Sequence, residues 1–161
     1  MNNCLRIPIA LLVLGAAPAM AATATGNLSV TATVVATCSV ATTPVAFGVI
    51  NSATTNAATG TVAVSCTNGT GYSIALGDGG YFSSGRRMQS STTTYEYLPF
   101  ELYQEVGHST LWGDGSHGSV MGSLTGNGGT QSYNIYGLIP ANQYSKADSY
   151  AATVQVTVTY P

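Results

Sequence analysis

Residues 153–160 read Thr-Val-Gln-Val-Thr-Val-Thr-Tyr. Val154, Val156, Val158 and Tyr160 fall on one side, and Thr153, Gln155, Thr157 and Thr159 on the other. That two-residue period belongs to a strand with one apolar face. The same pattern recurs upstream. Leu28, Val30, Ala32 and Val34 alternate with Ser29, Thr31 and Thr33, and Val62, Val64 and Cys66 alternate with Thr61, Ala63 and Ser65. Tyr72, Ile74 and Leu76 form another face, closed by the turn signal Gly77-Asp78-Gly79-Gly80. Leu98, Phe100 and Leu102 follow, with Pro99 marking an edge or a bulge, and Tyr133, Ile135 and Gly137 continue the series. Nothing after residue 21 keeps a helical period. Short strands separated by glycine-rich turns predict an all-β sandwich or barrel with one core. Residues 51–60, 83–94 and 113–129 read as loops.

The first 21 residues have a different character. Arg6 precedes an apolar run from Ile7 to Ala17, and small residues Ala19 and Ala21 flank Met20. This is the pattern of a secretory signal peptide cleaved after Ala21. The run is shorter than the roughly 20 residues that span a bilayer. Processing leaves three basic residues (Arg86, Arg87, Lys146) against six acidic ones, a net charge of −3. Only 6% of the chain is charged, against about a quarter in ordinary soluble domains. Ten tyrosines argue against disorder. The near absence of Lys and Arg excludes nucleic acid, whose phosphates need clustered cations. A surface of Thr, Ser, Asn, Gly and Tyr suits an exported protein packed into an assembly.

Two cysteines, Cys38 and Cys66, survive cleavage. In an oxidising compartment they read as one disulfide, contributing roughly 3–4 kcal/mol through loop closure. Neither His108 nor His117 has ligand-like spacing to them, so no metal and no cofactor is expected. His108, Asp114 and His117, with Ser109 and Ser116 nearby, supply the raw material of a hydrolytic triad. They share one glycine-rich loop without a nucleophile elbow, and a polar turn is the better reading. Asp114 and Asp78 each stand alone, too few carboxylates for calcium. The pair Arg86-Arg87 reads as a solvated loop. Tyr95, Tyr97, Tyr103, Tyr133 and Tyr136 could form a sugar platform, but cross-strand pairs and a subunit contact fit better.

The segment between Ala22 and Cys38 is a free strand pattern ahead of the first disulfide cysteine. It serves either its own sheet or, by strand addition, a neighbour's. In order, the chain carries Thr25-Gly26 before an alternating strand, Thr37-Cys38-Ser39-Val40, Phe47-Gly48, the run from Gly60 to Cys66 and the turn ending at Gly80. Ile135-Tyr136-Gly137-Leu138-Ile139-Pro140 and Asp148-Ser149-Tyr150 follow, leading into the valine strand. This series resembles the spore coat protein U family, which includes the major subunits of archaic, Csu-type chaperone–usher pili. The resemblance implies an incomplete immunoglobulin-like β-sandwich, completed first by a periplasmic chaperone's strand and then by a donor strand from a neighbouring subunit. It assigns residues 1–21 to the signal peptide, 22–36 to the donor segment and 37–161 to the pilin domain.

The donor positions so implied are Leu28, Val30, Ala32 and Val34; Val154, Val156, Val158 and Tyr160 would line one side of the acceptor groove. The disulfide would hold the groove's first strand to the second. Expected partners are identical or related pilin subunits, a periplasmic chaperone and an outer-membrane usher. The expected role is that of a stalk subunit in a cell-surface fibre for adhesion and biofilm formation, not an enzyme. The rival readings are a monomeric coat-type protein and a secreted carbohydrate-binding module.

Overall fold

The computed structural model describes residues 19–161, which contain strands and no helix. Residues 19–33 form one unit, without regular secondary structure and with their side chains exposed. Residues 34–161 form the other and hold every strand among the described residues. These are β1 (Cys38–Thr43), β2 (Asn56–Cys66), β3 (Gly71–Leu76), β4 (Arg87–Ser90) and β5 (Tyr97–Pro99), followed by β6 (Glu101–Tyr103), β7 (Met121–Thr125), β8 (Thr130–Ile139), β9 (Tyr150–Ala151) and β10 (Val156–Thr159). One sheet has the order β1-β2-β8-β6, a second β10-β3-β7 and a third β5-β4-β9. All the pairings are antiparallel.

The alternation read from the sequence sets which faces meet. Val62, Val64 and Cys66 of β2, Tyr72, Ile74 and Leu76 of β3, and Ile135 and Ile139 of β8 are buried in a single cluster. Leu98, Phe100, Leu102 and Trp112 complete it. Longest of the pairings is β2 with β8, from Asn56 opposite Ile139 to Ser65 opposite Thr130. Each buried side chain of this size gains about 1.5–3 kcal/mol over exposure.

The apolar run around Pro99 is two strands. β5 is the outermost strand of its sheet, beside β4, whereas β6, separated from it by Phe100 alone, joins β8. Proline has no N–H to continue a ladder, and the chain changes sheets there. Phe100 N then donates to Arg86 O at 3.0 Å.

Three expected loops are shorter than their composition implied. β2 already begins at Asn56, β4 lies within 83–94, and β7 lies within 113–129. Their Ala, Asn and Gly are weak strand formers, and long-range pairing overrides local preference. The final strand is shorter than its alternation: β10 pairs only over Val156–Thr159, although burial keeps alternating from residue 152 to 159. Conversely, Leu28 to Val34 alternates yet lies in no strand, because a strand needs a partner edge as well as a pattern.

Arg86 overturns its reading as solvated. Its side chain is fully buried. Its Nε donates to Gly77 O at 2.9 Å, its Nη2 to Leu76 O and Trp112 O at 2.9 Å each, and its Nη1 to Glu101 Oε2 at 3.2 Å. One guanidinium thus ties the end of β3, the loop holding Trp112 and the start of β6. A buried charge persists only when paired and fully hydrogen-bonded. Arg87, beside it, stacks on the Tyr97 ring at 4.2 Å. Glu101→Ala removes the counter-charge and is expected to cost about 3–5 kcal/mol, read from the urea midpoint of the oxidised protein. A loss under about 1 kcal/mol would show that the carbonyls alone satisfy Arg86.

Candidate functional site

The outermost strands of the two main sheets are incompletely covered. Among the described residues β1 pairs only with β2, and β10 only with β3. Directly opposite residues of an antiparallel pair point to the same face. Val40 sits opposite Val64, so it faces the core side. Val64 is fully buried, yet Val40 is 45% exposed. On the other edge, Val156 sits opposite Leu76 and Val158 opposite Ile74. Leu76 and Ile74 are fully buried, whereas both valines are half-buried. The core-facing positions are therefore sealed one strand in and open at both edges.

Between these edges runs a cleft. A cavity of about 350 Å³ is walled by Thr42, Thr43 and Val45 on one side and by Ala152, Val154 and Val156 on the other. Leu76, Phe100, Leu102 and Ile135 form its floor. Val45, Phe47 and Met88 also line a second cavity of about 660 Å³, which continues past Leu98 and Ile139 to Ser145–Tyr150. Exposed apolar surface of this kind next to unpaired backbone marks an interaction site.

Two glycines set the cleft's width. A Cβ on Gly137 of β8 would meet Val45 Cγ1 at 2.5 Å and Phe47 Cζ at 2.9 Å. One on Gly60 of β2 would meet Thr43 O at 2.8 Å and Pro44 C at 3.1 Å. The bare strip they leave lets segment 44–47 lie flat on the sheet instead of filling the cleft.

The structure distributes the expected site residues unevenly. Cys38 and Cys66 are disulfide-bonded and directly opposite, with Cα atoms 4.1 Å apart. Val154 and Val156 line the cleft; Val158 is half-buried against the core and Tyr160 is 41% exposed. Leu28, Val30 and Val34 are more than 80% exposed, and Ala32 is exposed too. Val45, Met88 and Ala152 carry no signal in the sequence, and Val40 and Phe47 enter there only as motif residues without a place in the groove. The pairing Cys38 with Cys66 carries the one usable signal, because it fixes Val40 on the core face. The proposed leader falls mainly on residues 1–18, outside the described residues.

The triad-like residues do not converge. His117 Nε2 lies 3.0 Å from Glu101 Oε1, and its ring packs edge-on to Phe82 with centroids 4.9 Å apart. His108 packs instead on Tyr103. Asp114 Oδ1 accepts the N–H groups of Ser116 and His117 at 2.8 and 3.2 Å, which holds its carboxyl below the usual range. The loop is thus better anchored than its glycine content suggests, through His117. Among the described residues no group of three or more His, Cys, Asp or Glu could hold a metal ion.

Asp148, on the rim of the larger cavity, gathers a different set of donors. Its carboxylate accepts the hydroxyls of Ser90, Ser91 and Thr92 and the N–H groups of Thr92 and Ser149. The Ser90 hydroxyl first, then Thr92, hold this carboxyl far below its ordinary value. A depressed carboxyl contributes stability above its unfolded pKa, about 3.9, and loses it as pH falls through the folded value. The stability difference between wild type and Asp148→Asn should stay constant from pH 7 to 5 and shrink only below about pH 4. Gly60→Ala, which meets unyielding backbone, should cost about 1–3 kcal/mol in a thermal melt. Gly137→Ala, which meets movable side chains, should cost less and push Val45 and Phe47 into the cleft.

The model of the Spore Coat Protein U domain matches residues 24–157. No curated protein matches the chain. Among solved structures, the fold is similar to a chain in the crystal structure of the CsuC–CsuE chaperone–tip adhesion subunit pre-assembly complex, from archaic chaperone–usher Csu pili of Acinetobacter baumannii. The TM-score is 0.56 at 21% identity, over 78% of this chain and 40% of that one, so the chain spans well under half the length of its structural relative. The all-β chain with its Cys38–Cys66 disulfide belongs to the Spore Coat Protein U domain family.

Proposed function

We propose that this protein is a structural subunit of an archaic chaperone–usher surface fibre, with no catalytic role, and that it polymerises by donor-strand exchange. The observation that carries this reading is the open core edge. Val40, Val156 and Val158 face inward but are only partly covered, while an apolar alternation at residues 28–34 of the same chain is exposed. An added strand would supply what both edges lack: backbone partners for β1 and β10, and side chains over the cleft floor.

The donor residues are Leu28, Val30, Ala32 and Val34, delivered to a neighbour's cleft. Same-face residues on a strand repeat about every 6.7 Å, so these four cover roughly 20 Å of groove. Val154, Val156, Val158 and Tyr160 form the acceptor's β10 side, and β1, tied to β2 by the disulfide, forms the other. Before assembly a periplasmic chaperone fills the cleft, and an outer-membrane usher takes the subunit onward. Family membership and the fold shared with a chain of a chaperone–subunit complex support this. The leader ends at Ala21, residues 22–36 are the donor segment and 37–161 the pilin domain. The protein reaches the cell surface through the periplasm, as a stalk subunit serving adhesion and biofilm formation.

Sheared surface material should run unboiled as a ladder that collapses to one band on boiling. Val30→Asp places an unpaired charge in the neighbour's groove and should abolish the ladder without unfolding the subunit, since Val30 is 83% exposed. Val156→Asp should abolish it from the acceptor side. Mixed together, the two variants have one intact donor and one intact acceptor, and only two-subunit species should form. Monomer alone in unboiled wild-type material would return the chain to the coat-type or carbohydrate-binding alternative.

A further inference from the structure

A subunit carrying both an open cleft and a matching strand could fill its own cleft. The simplest route is a hairpin. Strand 28–34 would fold back beside the free edge of β1, with Val35, Ala36 and Thr37 as the turn. We infer that the connection from Val34 to Cys38 is built to prevent this return, with Thr67 as the positioning residue that keeps the donor segment available to a second copy of this chain. The inference rests on the strand-exchange reading above.

Two independent observations carry it. The first is hydrogen bonding at the exit. Thr67 N donates to Thr37 O at 3.0 Å, and Thr37 N donates to Thr67 Oγ1 at 3.2 Å. The two threonine hydroxyls lie 3.1 Å apart, and Thr67 Oγ1 donates to Val35 O at 3.3 Å. Thr37 thereby continues the β1–β2 ladder one step beyond the Cys38–Cys66 pair. Its N–H and C=O are both spent on Thr67, and a hairpin would have to take them away. The second is turn chemistry. Tight hairpin turns need one or two residues at positive φ, supplied by Gly, Asn or Asp. From Leu28 to Thr37 the chain has no Gly, Asn, Asp or Pro, and Val30, Thr31, Thr33, Val34, Val35 and Thr37 are β-branched. Such residues resist positive φ, and none of residues 35–37 adopts it.

The test changes the connection and leaves the donor residues Leu28, Val30, Ala32 and Val34 and the acceptor cleft unaltered. Full-length chains are exported with the wild-type leader: wild type, Val35→Asn with Ala36→Gly, and that pair combined with Thr67→Val. Val35 and Ala36 are exposed, so these changes do not touch the core. Unboiled gels and size exclusion give the monomer-to-polymer ratio, and limited proteolysis reports whether residues 22–36 are protected. The expected result is a roughly five- to tenfold higher monomer fraction in the double variant, higher again with Thr67→Val, the monomers protecting residues 22–36. Ladders unchanged from wild type overturn the inference and leave strand exchange standing. Monomers whose residues 22–36 are readily cleaved also overturn it, because the strand has not returned. No ladder in wild type itself overturns both.

Discussion

Everything in this fold follows from one mismatch of coverage. A sandwich is stable when each sheet's inward side chains are sealed by the other sheet. Here the seal holds over the core faces of β2 from Gly60 to Cys66, of β3, and of β8 from Ile135 to Ile139, and it stops at β1 and β10. Val64 and Val40 are paired residues on the same face, yet one is fully buried and the other nearly half exposed. Neither strand can close the gap alone, because β1 is pinned to β2 by a disulfide and β10 is registered on β3. The bare strip at Gly60 and Gly137 keeps segment 44–47 low and the floor of the cleft accessible.

A core left open on one side must be held from the other. That is the part played by the buried polar cluster around Arg86, which binds carbonyls from β3 and from the Trp112 loop and pairs with Glu101. Trp112 is itself fully buried and donates its Nε1–H to Ile74 O at 3.0 Å. These bonds fix the irregular connections that regular pairing does not reach. Near the larger cavity Asp148 does the same for residues 90–92 and Ser149. A chain with few charged residues buries one of them, Arg86, and uses Glu101 and Asp148 as anchors for irregular segments.

Much of this was legible in advance. The alternation at Val62–Cys66, Tyr72–Leu76 and Val154–Tyr160 gave strands and faces, because a period of two has one structural meaning when one side is apolar. The cysteine pair is a disulfide, as its count and compartment implied, and the register of β1 on β2 comes from the structure. What could not be read was anything decided by distant pairing. Asn56 to Gly60 is a strand because β8 lies beside it, not because Ala and Thr demand one. Arg86-Arg87 looks like an ordinary basic pair, and only the assembled loops show three carbonyls converging on one guanidinium. Met88, Val45 and Phe47 lie in short or irregular segments whose alternation is too brief to recognise. At residues 28–34 the opposite holds: the pattern of a strand is complete, and the partner edge is missing.

The position of the disulfide has a mechanical consequence. Cys38 is the first residue of β1 and faces the last residue of β2. Tension applied to the segment preceding Cys38 enters the sandwich at that covalent link. The β1–β2 ladder would otherwise open from this end one bond at a time, the weakest loading geometry for a pair of strands. With the link closed, load passes at once into β2, whose long ladder with β8 resists in shear, many bonds together. Without that link the same ladder would turn from a rope into a zip.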